Sequence, residues 1–251
     1  MNHKVYHQII SSASQGKKEF AILIDPDKLN KEQLLKTIRL AVENRVNYFF
    51  IGGSLLLNNQ LDEWIDIIKS SCNIPVVIFP GGNTQICKQA DAIFLLSLIS
   101  GRNAELLIGQ HVVAAPNLRA SNLEIISTGY MLINGGMPTT VSYMSNTTPI
   151  PSDKNDIAAC TAMAGEMLGL KLIYMDAGSG AKSVITASMI TEVRKNISLP
   201  IIVGGGIDTP EKAKAASKAG ANIIVVGNAI EKDVALISKI ADAIQREESL
   251  I

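Results

Sequence analysis

The sequence predicts an α/β fold in which one domain, residues 1–251, forms a single (β/α)₈ barrel. Short aliphatic segments alternate with helical segments eight times, a pattern that is typical of parallel sheets. Hydrophobic residues make up 47% of the chain and aromatic residues only 4%, which suits strands that are covered on both faces. No linker or low-complexity segment interrupts the alternation. A doubly wound open sheet is the alternative architecture.

The hydrophobic periodicity predicts each element in chain order. After an N-terminal helix over 4–15, strands are expected over 20–24, 48–51, 75–79, 92–98, 124–133, 171–176, 199–203 and 223–226. The helices that follow them are expected over 30–44, 55–70, 84–89, 104–113, 154–168, 187–196, 210–219 and 233–247. Because strand four begins soon after Gly82, the third of these helices has to be short or missing. The proline-containing segment before residue 154 is expected to be a loop.

The charge balance and the cysteines exclude several classes of protein. Lys and Arg together number 23, as do Asp and Glu, which argues against a protein that binds nucleic acid or an anionic membrane surface. Cys72, Cys87 and Cys160 are widely spaced, so neither a disulfide framework nor a zinc site is expected. No signal-peptide core is found, and no apolar run reaches the ~20 residues of a membrane helix. We therefore expect a cytoplasmic protein without a transmembrane segment.

Two glycine-rich turns end strands seven and eight. They are Gly204-Gly205-Gly206 and Gly227-Asn228, and the predicted helix over 210–219 connects their strands in a right-handed βαβ unit. Both turns therefore open at the same end of the barrel, where glycine lets backbone N–H groups approach an anion. In (β/α)₈ barrels this is the usual phosphate site. The sequence predicts phosphate binding here, although three glycines alone are equally consistent with a tight turn.

Acidic residues follow two other strands. Asp25 comes after strand one, Ser54 after strand two, and Asp176 ends strand six before Gly178-Ser179-Gly180. A single carboxylate beside a hydroxyl suits Mg²⁺, which keeps most of its waters and takes further oxygens from a substrate phosphate. The alternative interpretation of Asp25 is an ordinary turn that begins a helix.

These strand ends carry a family resemblance. Tyr174–Ala181, Ile24–Lys28, Val203–Ile207 and Val226–Asn228 together resemble the geranylgeranylglyceryl phosphate synthases, a family that includes bacterial heptaprenylglyceryl phosphate synthases. The resemblance covers essentially the whole chain. It implies a Mg²⁺-dependent prenyltransferase that joins sn-glycerol 1-phosphate to a polyprenyl diphosphate through an ether bond and releases diphosphate, in ether phospholipid biosynthesis. It also implies a barrel with a shortened third helix and a homodimer or homohexamer.

The resemblance implies roles for particular residues. Asp25 and Ser54 would hold Mg²⁺, and Asp25 and Asp176 would be catalytic. The substrate-binding residues would be Tyr174, Met175, Asp176, Ala177, Gly178, Ser179, Gly180, Gly204, Gly205, Gly206, Gly227 and Asn228. Two positions depart from the family pattern: Asp176 stands where many members have Glu, and Leu23 stands where some have Lys.

Several functional alternatives stay open. Geranylgeranyl diphosphate is the expected prenyl substrate and heptaprenyl diphosphate the alternative. A phosphosugar isomerase or synthase of the same barrel type, or a phosphate-binding barrel without catalysis, is the other possibility. A prenyl tail needs an apolar groove, which is expected beside strands three and four at Phe79, Phe94, Leu95 and Leu98.

Overall fold

Eight parallel strands close into a barrel in chain order in the computed structural model, which describes residues 4–58 and 60–245. The strands are β1 (Glu19–Ile24), β2 (Tyr48–Ile51), β3 (Val76–Ile78), β4 (Ala92–Leu98), β5 (Glu124–Leu132), β6 (Leu172–Asp176), β7 (Ile201–Gly204) and β8 (Ile223–Val226). Closure is made by β1 and β8, which pair in register from Glu19 opposite Ile223 to Ile22 opposite Val226. The predicted barrel is confirmed, and the open sheet is wrong.

Helices surround this barrel. They are α1 (Lys4–Ser14), α2 (Lys31–Glu43), α3 (Leu61–Ser71), a π-helical turn (Glu105–Gly109), α4 (Gln110–Ser121), α5 (Thr140–Ser145), α6 (Asn155–Met167), α7 (Ala187–Asn196), α8 (Pro210–Lys218), α9 (Asn228–Lys232) and α10 (Leu236–Gln245). Capping side chains define several starts. Asn30 accepts the backbone N–H of Gln33 at the start of α2, and Thr209 accepts that of Lys212 at the start of α8.

The strands alternate between two apolar layers. Ala21, Phe50 and Tyr174 belong to the layer inside the barrel, whereas Ile22 and Ile51 belong to the layer between the strands and the helices. Both faces of the strands are therefore buried, which explains why their sequences are nearly continuous aliphatic runs. No helix within residues 4–58 and 60–245 has the length and apolar character needed to cross a membrane.

The connection between β3 and β4 contains turns and no helix. The predicted helix over 84–89 is therefore wrong, while the expectation of a shortened or missing third helix is confirmed. A buried side chain organises this connection instead: Gln85 accepts the N–H of Gly81 and donates to the carbonyl of Gly53.

Two other helix boundaries differ from the prediction by several residues. The helix expected from residue 55 begins at Leu61, because the N–H groups of Leu57 and Asn58 donate to Asp27 instead of continuing a helix. The helix expected to end at residue 113 continues through Pro116 to Ser121. Buried Ala114 and Leu118 flank the proline, so packing against the barrel overrides its local preference.

Two short helices were not expected from the sequence. One, α5, lies within the segment predicted as a proline-containing loop, and the other, α9, starts directly after β8. The closing helix begins at Leu236 rather than at residue 233. Position 59 of the predicted 55–70 helix and positions 246–247 of the closing helix lie outside the described residues.

Candidate active site

A cavity of about 1040 Å³ opens at the carboxyl-terminal ends of the strands. Its polar part is formed by the ends of β1, β2, β6, β7 and β8. Its apolar part is formed by side chains from the β3–β5 side and the neighbouring helices, and includes Phe79, Ile86, Phe94, Leu95, Leu96, Leu98, Leu106, Ala114, Leu118 and Val141. The four residues predicted to line an apolar groove all lie in this part. One cavity therefore joins a polar site to a large apolar space.

Most of the predicted site residues line the cavity. They are Asp25, Ser54, Tyr174, Asp176, Gly178, Ser179, Gly180, Gly205, Gly206, Gly227 and Asn228. Met175, Ala177 and Gly204 do not belong to its lining. Met175 and Ala177 pack in the apolar layer between strands and helices, because alternate residues of a strand point to opposite faces. Gly204 lies against the hydroxyl of Tyr174, to which a Cβ at this position would be 3.0 Å away.

Asp176 is a buried carboxylate at the end of β6, with 8% of its surface exposed. The hydroxyl of Tyr130 donates to its Oδ2 at 2.6 Å, and the N–H of Gly178 donates to its Oδ1 at 2.8 Å. Burial raises the pKa of the Asp176 carboxyl above its usual range, against the opposing effect of these two hydrogen bonds. Asp176 is therefore a stronger base than an exposed aspartate.

Tyr130, the donor to Asp176, comes from the adjacent strand β5, lines the cavity and packs against two aromatic rings. Its ring centroid is 5.8 Å from that of Phe79 and 5.7 Å from that of Tyr174. Burial and the Asp176 charge raise the pKa of Tyr130 well above its ordinary value, so its hydroxyl stays protonated at neutral pH. This geometry fixes the orientation of the Asp176 carboxylate.

The turn after β7 requires glycine at position 205 because it packs closely against the turn after β6. Gly205 has a φ of +84°, and a Cβ there would lie 2.6 Å from the nitrogen of Ala177 and 2.7 Å from Asp176 Oδ1. A side chain at this position would collide with the turn after β6 that carries the carboxylate. At Gly227, in contrast, the nearest atom to a Cβ would be the carbonyl oxygen of Leu23 at 3.2 Å. Gly205 thus lets two of the predicted substrate-binding turns pack together.

Asp25 lies beside the segment that follows the neighbouring strand β2 and contains Ser54. A Cβ on Gly53 would lie 3.4 Å from Asp25 Cγ, which places the segment containing Ser54 beside the carboxylate. Asp25 Oδ1 accepts the N–H of Asp27 at 3.1 Å, and Oδ2 is 3.1 Å from Lys28 Nζ. Within residues 4–58 and 60–245, no group of three or more His, Cys, Asp or Glu side chains could hold a metal ion.

Asn228 connects this region to the glycine turns. Its amide donates to Ser179 Oγ at 3.0 Å, and its Oδ1 accepts from Lys28 Nζ at 3.1 Å. Side chains that follow β1, β6 and β8 are therefore linked directly across the cavity mouth.

Comparison with known proteins places this geometry in a family. Residues 13–246 match the PcrB family. A geranylgeranylglyceryl phosphate synthase of Chitinophaga pinensis is 58% identical over 97% of both chains, and one of Korarchaeum cryptofilum is 39% identical over 84% of this chain and 87% of the relative. The chain belongs to the PcrB family.

A solved structure extends this family relationship to three dimensions. The (S)-3-O-geranylgeranylglyceryl phosphate synthase of Thermoplasma acidophilum, crystallised with sn-glycerol-1-phosphate, is 32% identical and superimposes with a TM-score of 0.91. The match covers 96% of this chain and 98% of that one. The predicted family resemblance is confirmed.

In this PcrB-family chain, sequence reasoning missed two polar residues of the cavity. Tyr130 lies within an apolar strand, so the sequence does not mark it as a site residue. The pairing of β5 with β6 places it opposite Tyr174. Lys28 is visible in the sequence only as part of the motif after strand one. Its position three residues after Asp25, in a turn, was the signal that could have indicated the contact between them.

Proposed function

We propose that this PcrB-family chain is a prenyltransferase that joins sn-glycerol 1-phosphate to geranylgeranyl diphosphate and releases diphosphate. The observation that carries the proposal is the composition of the cavity. A buried carboxylate and two glycine turns at one end suit a small phosphorylated alcohol, and the adjoining apolar space suits a hydrocarbon tail. The names of the bacterial and archaeal relatives, and the sn-glycerol-1-phosphate in the Thermoplasma structure, support the same reaction.

The acceptor phosphate is proposed to bind between the turns after β6, β7 and β8. Gly178, Gly180, Gly205 and Gly206 all have positive φ, a conformation in which consecutive N–H groups can converge on an anion. Asn228 begins α9 directly after β8 and contributes its side chain beside Ser179. The glycerol part would then extend toward Asp176.

The proposed reaction is a substitution at the first carbon of the prenyl chain. The free terminal hydroxyl oxygen of the glycerol forms a bond with this carbon, while the bond from the carbon to the diphosphate oxygen breaks and its electron pair leaves with diphosphate. The hydroxyl proton passes to Asp176, whose raised pKa suits a general base. Tyr130 holds the carboxylate in place, and the enclosing cavity aligns the two substrates.

The donor set at Asp25 fits a magnesium ion. Asp25 and Ser54 offer one carboxylate and one hydroxyl, both hard oxygen ligands, and the remaining ligands would be water and substrate phosphate. When bound, Mg²⁺ would stabilise the negative charge that develops on the leaving diphosphate. The role of this chain is then to hold Asp25 at the cavity edge, between the acceptor site and the apolar space.

The apolar part of the cavity favours a prenyl donor over a phosphosugar substrate. A phosphosugar offers no apolar surface to cover side chains such as Phe94, Leu98 and Leu118. Heptaprenyl diphosphate is the alternative donor. Assembly as a homodimer or homohexamer stays a prediction.

One assay tests the proposal. The protein is incubated with radiolabelled sn-glycerol 1-phosphate, Mg²⁺ and prenyl diphosphates of different lengths, and the product is extracted into organic solvent. We expect Mg²⁺-dependent transfer that is fastest with geranylgeranyl diphosphate. Faster transfer from heptaprenyl diphosphate would support the alternative donor, and no extractable product with any donor would contradict the proposed function.

Replacing Asp25 with Asn tests the metal assignment in the same assay. Asn keeps the size of the side chain but removes the negative charge that a divalent cation needs, so we expect Mg²⁺-dependent turnover to be lost while the protein stays folded. The exposed Asp66 on α3 provides a control with the same change of charge. Full activity of Asp25→Asn would show that the metal binds elsewhere.

A further inference from the structure

A lysine lies between the proposed metal site and the proposed phosphate site. Lys28 Nζ is 3.1 Å from Asp25 Oδ2, 3.1 Å from Asn228 Oδ1 and 3.9 Å from Glu231 Oε2. Its side chain is 41% exposed and belongs to the cavity lining. The ammonium group is therefore accessible to a molecule bound in the cavity.

A structural role does not account for this position. The loop after β1 is already held by backbone and carboxylate bonds: Lys28 N–H donates to the Asp25 carbonyl, and Asp27 accepts the N–H groups of Leu57 and Asn58. A partly exposed ion pair such as Lys28–Asp25 contributes only about 0–1 kcal/mol to folding. The lysine is not needed to form the loop.

Lys28 and a divalent cation would compete for the same oxygen. Asp25 Oδ1 accepts the N–H of Asp27, whereas Oδ2 faces the Lys28 ammonium. A divalent cation on Asp25 would repel the ammonium and release it from this oxygen. Of its remaining contacts, Asn228 lies at the glycine turns.

A cation near the glycine turns would strengthen their binding of a phosphate dianion. Asp25 and Glu231 place negative charge at this side of the cavity mouth. Burial raises the pKa of Glu231, and the Asp25 charge raises it further, whereas Lys28 opposes this effect. A phosphate bound beside Asn228 would be repelled by the negative charges of Asp25 and Glu231. The Lys28 ammonium lies where it can offset this repulsion.

We propose that Lys28 binds substrate phosphate, and that its ammonium moves from Asp25 to a phosphate oxygen when a divalent cation takes Asp25. Before the metal binds, the Lys28 ammonium neutralises the charges of Asp25 and Glu231. After the metal binds, the ammonium forms part of the anion site. The inference rests on the proposed function only for the identity of the phosphate. That phosphate is either the acceptor monoester or the leaving diphosphate.

Calorimetric titration of the full chain tests this exchange without turnover. The probes are Mg²⁺ alone, then inorganic phosphate and inorganic diphosphate in the presence of Mg²⁺. In Lys28→Met we expect Mg²⁺ alone to bind about 2- to 5-fold more tightly, because its competitor is gone. We expect phosphate or diphosphate to bind about 10- to 100-fold more weakly, the usual value of a charge-assisted hydrogen bond.

Two further variants serve as controls. Lys28→Arg keeps the positive charge and should recover most of the lost anion affinity. Lys232→Met makes the same change of charge at the same cavity rim, and we expect each affinity to stay within about twofold because exposed charges are screened by salt.

The outcomes separate the two phosphate sources and the two proposals. Weaker binding of phosphate alone assigns Lys28 to the acceptor, and weaker binding of diphosphate alone assigns it to the leaving group. Four results would overturn the inference. Lys28→Met could lose Mg²⁺ affinity and anion affinity in parallel, or keep its anion affinity unchanged. Lys232→Met could have an equal effect, or the wild-type protein could bind neither anion. Failure of prenyl transfer would instead appear in the wild-type assay, independently of these titrations.

Discussion

At the amino-terminal end of the barrel, Glu19 and Glu124 are as inaccessible to solvent as Asp176 is at the carboxyl-terminal end. Their exposed fractions are 4%, 4% and 8%. The surroundings of these carboxylates differ. Glu124 accepts the N–H groups of Val5 and Tyr6 at 2.8 Å each, and Glu19 accepts the hydroxyls of Ser12 and Tyr48.

The carboxylates at the amino-terminal end of the barrel hold helix α1 in place by hydrogen bonds. Glu124 accepts two of the free N–H groups at the start of α1, where a negative charge also interacts favourably with the helix dipole. Val5 and Ile9 of α1 then join the apolar layer inside the barrel. This end is closed by the chain itself.

The carboxyl-terminal carboxylate faces a cavity instead. Asp176 has one donor on each oxygen, Tyr130 and the N–H of Gly178, and each oxygen can accept a further hydrogen bond. The comparison shows that burial of an acid does not by itself mark a reactive site. A reactive carboxylate needs burial together with open space beside it.

The largest effect in this comparison is expected for Asp176→Asn. If Asp176 removes the acceptor proton, losing its basicity should lower the rate by about 10²- to 10⁴-fold in single-turnover measurements. Asp176→Glu keeps the carboxylate and should retain measurable turnover. Equal rates for Asn and Asp would show that the residue only positions the acceptor.

The same variant has a predicted effect on stability. Because the pKa of Asp176 is raised in the folded state, ionisation of this group lowers stability as the pH rises from its unfolded-state pKa through the raised value. Asp176→Asn removes this loss, so its melting temperature at neutral pH should be at least that of the wild type. A lower melting temperature would contradict this interpretation.

A smaller effect is expected for Tyr130→Phe. The variant removes the donor to Asp176 Oδ2 but keeps the ring that packs on Phe79 and Tyr174. Because this hydrogen bond lowers the pKa of Asp176, its loss should move the acidic limb of the pH–rate profile to higher pH. We expect the rate at neutral pH to fall about 10-fold, and an unshifted profile would assign Tyr130 a purely packing role.

The smallest effect on catalysis is expected for Glu124→Gln at the opposite end. Gln keeps one acceptor but turns an NH₂ group toward a backbone N–H of α1, which should lower the free energy of unfolding by about 1–3 kcal/mol. Denaturant titration measures this loss, and hydrogen exchange in α1 should show where it occurs. A large fall in turnover with unchanged stability would show that Glu124 contributes to catalysis. It would contradict the structural role assigned to the carboxylates at the amino-terminal end of the barrel.

Local patterns were sufficient where neighbours in sequence are also neighbours in space. The eight strands, the glycine turns and the acids at the ends of β1 and β6 could all be predicted, because alternation and turn chemistry are local and parallel strands bring their carboxyl ends together. Helix boundaries failed where a distant contact decided them. Asp27 accepts the N–H groups of residues 57 and 58, so that α3 begins later in the chain. Packing of α4 against the barrel lets this helix continue through Pro116.

By itself, the sequence determined the barrel, its family and the end at which the polar residues gather. Only the tertiary structure decided which of those residues face the cavity: Met175 and Ala177 point to the helices, while Tyr130 and Lys28 enter the site. The physical reason is that side-chain direction and partners depend on register between strands far apart in the chain. The Tyr130–Asp176 bond spans 46 residues and the Lys28–Asn228 bond 200, and no local pattern encodes either.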